Sequence, residues 1–410
     1  ERAFIERDLV NLLKSGRTWF GEVFDQTLSY PYAFSVPGIV QTDSAFLRVV
    51  GAARTIGTGN SSSFDLNVSG QFSTSFSVPG VPESYTSVYG QNFDRTYGFL
   101  PSGGSLAVNM TFNKFNPVTS IGWMDFLELN CRRQLRQFTD QQSFRDLRSV
   151  GPGAISEFVL EQAQSVHRIW EITDPSQPRE VQATVDGGNL RFTMATDSLR
   201  QFISFRNANY PEPTPNGQVE NQNLHGTPTG MDLTIICPPQ FQAAASQLAE
   251  RRMSEGLHVI IVSPQQVYNE FSSGSRDATA IKRYMRMQYD RAGAPEEMPR
   301  YLLLFGDGSY NNFSLAPSNQ NWIPSYQTVN VMDPARSYGT DDYYGFLDEN
   351  EGERTSDLVD IGIGRLPVSS VEQAQQVVAK LLRYDATRTL SFQGSSCSAN
   401  GDGGLADWRT

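Results

Sequence analysis

Apolar and polar positions alternate with period two along much of the first 230 residues. "FLRVVGAA" (46–53), "SFDLNVSG" (63–70), "QFSTSFSV" (71–78) and "SLAVNMTFNKF" (105–115) are short runs parted by Gly, Ser, Asn and Pro clusters. Their spacing is close to the roughly 8–12 residues of antiparallel sandwiches. "GWMDFLELNCRRQLRQF" (122–138) alternates too and closes this block, with Trp123 and Phe126 expected in the core. A second set follows: "ISEFVLE", "SVHRIWEIT", "PREVQATVDGGNLRFTM" and "RQFISFRN", with "DGGN" (186–189) as a hairpin turn. Residues 209–230 then hold four prolines and no period, which reads as a linker.

After Gly230 the period changes. "DLTIICPP" (232–239), "LHVIIVSP" (257–264), "RYLLLFGDG" (300–308) and "LVDIGIGRLP" (358–367) are apolar runs that read as strands buried on both faces. Helical spacing lies between and after them. "QFQAAASQLAERRMSEG" stops at Gly256, "SRDATAIKRYMRMQYDRAG" is capped by Ser275 or Asp277, and "SSVEQAQQVVAKLLRYDATR" by Ser369 or Ser370. Strand and helix in alternation predict a parallel sheet with right-handed crossovers. The expected architecture is therefore multidomain: a jelly-roll-like β-sandwich over 1–150, a second β-rich segment and its linker over 151–230, and an α/β domain over 231–410.

Charge narrows the partners. Lys plus Arg number 33 against 44 Asp plus Glu, a net charge of −11, which argues against nucleic acid. Charged residues make up only 19% of the chain, a composition commoner on exported proteins. No apolar run approaches the ~20 residues that span a bilayer. The chain opens on Glu1 without a signal peptide and reads as a polypeptide entered partway. Cys131, Cys237 and Cys397 are too few and too far apart for a disulfide framework or a metal-ligand spacing.

Candidate chemistry begins with Asp307, between two glycines at the end of a buried strand, where open α/β sheets collect ligands. It is read as a metal ligand or a substrate-facing acid, or else as an Asp capping its own turn. Residues 341–360 carry eight acids, an oxygen-rich loop of the kind Ca²⁺ prefers, although the spacing is not that of an EF-hand. Asp307, Asp341 and Asp342 are the metal candidates; otherwise these acids form a solvated loop. No cofactor is required by any pattern. Cys237 in "TIIC" reads as a small buried hydrophobe. His167, His225 and His258 have no nucleophile beside them in sequence, so no Cys/His or Ser/His pair assembles from local signals.

The α/β part resembles the amino-terminal half of the gingipain-type cysteine peptidases, a caspase-like family. The resemblance rests on Leu304-Phe305-Gly306-Asp307-Gly308, Thr340-Asp341-Asp342-Tyr343-Tyr344-Gly345, Asp360-Ile361-Gly362-Ile363-Gly364-Arg365-Leu366-Pro367 and the helix ending Lys380-Leu381-Leu382-Arg383-Tyr384. In the β-rich half, "LLKSGRTWFGEVFD", "FSVPG", "GWMDFLELN" and "VHRIWEITDPSQP" are similar to the surface sortases of the type IX secretion system within that family. The resemblance implies a cysteine endopeptidase that removes carboxyl-terminal secretion signals from cargo proteins and helps attach them to anionic lipopolysaccharide. It further implies a peripheral location on the outer-membrane surface, with a β-barrel partner and other surface proteins of the secretion system.

The family's catalytic His lies in a Gly-His-Gly segment and its Cys about thirty residues later, both beyond the Arg-Tyr helix. No Gly-His-Gly occurs in these 410 residues, and Cys397 lies in a Gly/Ser/Asn tract. The expectation is a polypeptide without its catalytic pair, inactive alone. The rival reading is a non-catalytic surface module for protein or glycan, joined to a degenerate peptidase-like domain.

Overall fold

A computed structural model describes residues 1–391, except Gln164, His167, Ala208, Asn209, Asn216, Leu315 and 353–356. The chain divides into two compact units. The first holds Glu1–Leu13, Arg17–Gln218 and Val329–Ser337; the second holds Lys14–Gly16, Val219–Thr328 and Tyr338–Thr410.

The first unit opens with nine strands: β1 (Arg2–Glu6), β2 (Val23–Phe24), β3 (Ser29–Ser35), β4 (Ala45–Arg54), β5 (Ser61–Val68), β6 (Phe72–Pro79), β7 (Gln91–Phe99), β8 (Ser105–Asn113) and β9 (Ile121–Asn130). One antiparallel sheet runs β1-β9-β4-β7 with β2 on β9; the other runs β3-β8-β5-β6. The alternation is the reason for the pairing of layers. Phe64, Leu66 and Val68 of β5, Leu106, Val108 and Met110 of β8, and Leu47 and Val49 of β4 all turn into one buried cluster. Ser, Thr and Asn, together with Asp65 and Ala107, take the opposite positions of β5 and β8.

Trp123 is buried, as expected of a large aromatic, but it does not join that cluster. The β4–β9 register shifts at Val50/Gly51, pairing Val50 with Phe126 and Gly51 with Met124. This bulge leaves Asp125 unpaired and puts Trp123 on the other face. There it packs with Phe20, Ala52, Val331 and Met332. Phe126 is only half-buried, with its ring 4.9 Å from that of Phe4.

The remaining strands of the unit are β10 (Gln141–Phe144), β11 (Ile155–Leu160), β12 (Arg168–Glu171), β13 (Arg179–Glu180), β14 (Thr184–Asp186), β15 (Asn189–Ala195) and β16 (Phe202–Phe205). They form sheets β10-β16-β12-β13 and β11-β15-β14 around Phe158, Phe192 and Phe202. Strand β10 pairs with β16 in this second set, while residues 132–134 still bond to the 38–40 segment of the first: Arg132 O accepts from Val40 N, and Gln134 N donates to Gly38 O. Gly187 (φ 56°) and Gly188 (φ 87°) form the turn joining the Asp186–Asn189 pair, the left-handed geometry a two-residue hairpin demands.

The second unit contains β17 (Leu233–Ile236), α1 (Gln242–Ser254), β18 (Val259–Val262), α2 (Pro264–Phe271), α3 (Ala278–Arg291), β19 (Tyr301–Phe305), β20 (Tyr326–Gln327), β21 (Gly339–Thr340), β22 (Gly362–Leu366) and α4 (Val371–Ser391). All four long strands are parallel, in the order β18-β17-β19-β22. The parallel α/β sheet expected after Gly230 is present. Asp277 caps α3 by accepting from Thr279 N, and Ser370 caps α4 by accepting from Gln373 N. Helix α2 was not expected; a Ser263–Gln266 capping box starts it.

Part of the presumed linker is firmly held. The Glu270 carboxylate of α2 accepts from Leu224 N (2.7 Å), His225 N (2.9 Å) and Gln222 Nε2 (2.8 Å), and meets His225 Nδ1 at 2.6 Å. Burial opposes the Glu270 charge, but these bonds outweigh it and hold its pKa at about 2. Leu224 is buried in the α2–α3 core, so the docked stretch begins well before Gly230.

Candidate functional site

The carboxyl ends of the parallel strands carry the loops from which such folds build their sites. Strand β19 ends in Gly306-Asp307-Gly308, and both glycines are there for space. A Cβ on Gly306 would lie 3.0 Å from Trp322 Cβ, and one on Gly308 would lie 2.7 Å from Ser325 Oγ. Asp307 holds the turn: its carboxylate accepts from Gly308 N at 2.9 Å, its own N–H donates to Val368 O, and its carbonyl accepts from Ile323 N. The turn-capping reading therefore describes what Asp307 does in this structure.

The centre of this face is Arg365, on β22 and nearly buried. Its Nε and Nη2 donate to the two oxygens of Asp341, both at 2.7 Å. Nη1 donates to the carbonyls of Gly306 and Ile323, each at 2.9 Å, and Nη2 reaches Pro324 O at 3.3 Å. Burial works against the guanidinium charge; the Asp341 bonds outweigh it and raise the Arg365 pKa. One side chain thus ties together the loops after β19 and before β22. Tyr344, fully buried, adds a hydroxyl bond to Pro324 O.

This arrangement separates the expected metal ligands. Asp341 is occupied by Arg365, Asp307 by its turn, and Asp342 is exposed at the start of a short 3₁₀ turn. The carboxylates that converge are others from the same acidic segment. Among the described residues, one oxygen each of Asp348, Glu351 and Asp360 lie within 4.8 Å of one another. Asp360 accepts from Leu347 N at 2.7 Å, Asp348 accepts from Tyr289 OH at 3.3 Å, and Glu351 Oε2 is buried without a hydrogen-bond partner. Such a set could hold a hard cation such as Ca²⁺.

No described cysteine has a base in hydrogen-bond contact. Cys237 is buried just past β17, its thiol donates to Pro238 O at 3.3 Å, and burial pushes its pKa up to about 12. That is the reverse of an activated nucleophile. His258 lies at the opposite end of the sheet, before β18, 3.3 Å from Asp232. His225 belongs to the Glu270 clasp. Cys131 follows the sandwich, half-buried, with its pKa raised by burial. Cys397 and His167 lie outside the described residues.

The role of Arg365 was missed, yet a signal for it exists. An arginine inside the apolar run "DIGIGRLP" must find acid and carbonyl partners once buried. Glu270 left no comparable trace, since its partners sit more than forty residues earlier in the chain.

Residues 226–407 match peptidase family C25. Along 95% of its length the chain is similar to dimeric latent PorU from Porphyromonas gingivalis, at 26% identity and a TM-score of 0.79. It spans 38% of that PorU chain. A structure described only as a protease matches 40% of this chain and 30% of its own, at 15% identity and a TM-score of 0.29. A carbohydrate-binding module CBM36, solved with calcium and xylotriose, matches 31% of this chain and 99% of its own, at 15% identity and a TM-score of 0.21. These two likenesses are too slight to argue from. No curated protein matches the chain.

Proposed function

We propose, for a chain that matches the C25 peptidases over residues 226–407 and resembles PorU along nearly its whole length, that it is part of a type IX secretion sortase. On this reading the enzyme is a cysteine endopeptidase at the outer-membrane surface. It removes carboxyl-terminal secretion signals from cargo proteins and helps join them to anionic lipopolysaccharide, working beside a β-barrel partner and other surface proteins. The observation that carries the reading is the continuous likeness to PorU across both units. A parallel sheet alone would support many functions.

The role proposed for this chain is architectural. Arg365 and Asp341 hold the loops at the carboxyl ends of the strands. The thiolate and its base must come from a Gly-His-Gly segment and a later Cys, which these residues do not supply. Calcium is proposed to bind at Asp348, Glu351 and Asp360 rather than at Asp307, Asp341 and Asp342.

The test is a paired assay on a cargo protein that bears a carboxyl-terminal secretion signal. A polypeptide joining this chain to a Gly-His-Gly and Cys segment should release the signal, and its Cys→Ala variant should not. The rival reading is a non-catalytic surface module. It predicts no release from the joined polypeptide.

A further inference from the structure

The face at the carboxyl ends of the strands carries a second arginine. Helix α2 starts just beyond β18, and α3 takes the chain back toward the start of β19. Arg276, which precedes α3, therefore stands on the same face as Arg365. The loop after β19 connects them: Arg276 Nη2 donates to Asn321 O, and two residues later Ile323 O accepts from Arg365.

The two arginines differ in their charge partners. Arg365 holds both oxygens of Asp341. Arg276 has a backbone carbonyl but, among the described residues, no carboxylate within ion-pair distance. Asp277, its neighbour in sequence, accepts from Thr279 N as the cap of α3. The mount of Arg276 is nevertheless firm. Ser272 N and Gly274 N donate to Tyr268 O at 3.0 and 2.8 Å, and Asn321 bonds both Ser309 N and Asn312 Oδ1.

A second observation lies beside it. Tyr268 is only 5% exposed, and its hydroxyl is buried without a hydrogen-bond partner, a state that costs stability. Burial pushes its pKa up to about 12, so it stays a neutral hydroxyl. After burial, the Arg276 charge acts on it most, yet the two do not meet in bonding geometry. An anion that drew the guanidinium into line would let the hydroxyl accept one of its N–H groups. The planar fork matches the two oxygens of a carboxylate. A phosphate dianion would meet Asp307 and Asp341 on this face with a single guanidinium to offset them.

We propose that Arg276 is a specificity-determining residue that takes a carboxylate of the substrate peptide, with Tyr268 as its positioning residue. The peptide as substrate rests on the peptidase reading above, but binding can be read without turnover.

The experiment titrates the 410-residue chain with three labelled hexapeptides. One is acetylated and amidated with a single Asp, the second replaces that Asp by Asn, and the third is the Asn peptide with a free terminal carboxylate. Wild type should prefer at least one charged peptide over the neutral one by about tenfold or more. Preference for the first assigns a side-chain carboxylate, and for the third a chain terminus. Arg276→Gln should abolish the preference, and Arg276→Lys, which keeps the charge without the fork, should retain part of it. Tyr268→Phe should reduce the preference while melting no lower than wild type, because the lost hydroxyl makes no bond in the free chain. Absence of binding, equal affinity for charged and neutral peptides, or a preference that survives in Arg276→Gln would overturn the proposal. Because no turnover is involved, that failure is distinct from failure of the cargo-release assay.

Discussion

Phe64 and Arg365 each stand at the centre of a unit, and they hold it by opposite means. Around Phe64 in the sandwich lie Phe24, Phe76, Phe93 and Phe112, with ring centroids 4.7–5.7 Å away. Around Arg365 lie one carboxylate and three loop carbonyls. The sandwich is held by non-directional burial, and its sheets need few specific polar bonds between them. The α/β unit also has an apolar interior, but its loops are fixed by charged side chains aimed at backbone groups. Loops that will carry a site cannot bury enough apolar surface to position themselves, so directional bonds do the work.

The comparison can be broken most forcefully at Arg365. Arg365→Ala should cost about 3–5 kcal/mol, because it strands Asp341 and three carbonyls in a nearly buried setting. Arg365→Lys should recover little of this, since an ammonium cannot bridge both carboxylate oxygens and the carbonyls at once. Urea unfolding of both variants measures this; full rescue by lysine would show that charge alone suffices. Phe64→Ala should also cost roughly 3–5 kcal/mol, by cavity formation, but with no dependence on pH between neutrality and pH 4.

Glu270 sharpens the contrast at intermediate size. Glu270→Gln should destabilise by about 1–3 kcal/mol at pH 7, since backbone and side-chain donors lose an ionised acceptor. The folded pKa of about 2 lies below the ordinary 4.5, so the contribution is fully present above pH 4.5 and fades as pH falls toward 2. Unfolding curves of wild type and variant should therefore converge in that window. A gap unchanged at pH 2.5 would remove the ionised carboxylate from the explanation.

A smaller effect is expected from calcium. Adding Ca²⁺ should raise the melting temperature and EDTA should lower it, with Asp360→Asn abolishing both shifts. No response to either reagent would remove the cation from Asp348, Glu351 and Asp360. Smallest of all is Asp125, the residue left over by the sandwich bulge. Burial first, then Glu6 and Asp8, raise its pKa to about 6. Its neutral form favours folding, so stability falls as pH rises from near 3.8 through 6. Asp125→Asn should stabilise slightly at pH 7.5 and have no effect at pH 3.5.

What could be read from the chain beforehand follows the same division. Period-two alternation placed the β5 and β8 strands, and continuous apolar runs placed β17, β18 and β19, because burial is written into residue type at fixed spacing. The bulge at Val50/Gly51 was not legible: it shifts one residue without changing composition, and so moved Trp123 to the other face. Helix α2 was hidden by its short length of 8 residues. At the candidate site Asp307 and Asp341 were found as residues, but their partners were not. Asp341 finds Arg365 twenty-four positions later through the fold of the sheet, a pairing that no local pattern encodes.

The measurement closest to the central claim is cleavage of a signal-bearing cargo protein by the 410-residue chain alone, together with labelling by a thiol-directed active-site electrophile. A catalytic pair acts as a unit, and its loss typically costs on the order of 10⁶ in rate. The expected result is no release of the signal and no rapid labelling, with Cys237 shielded and its thiol protonated at neutral pH. Release of the signal that disappears in Cys237→Ala or Cys397→Ala would contradict the account and place the active site within this chain.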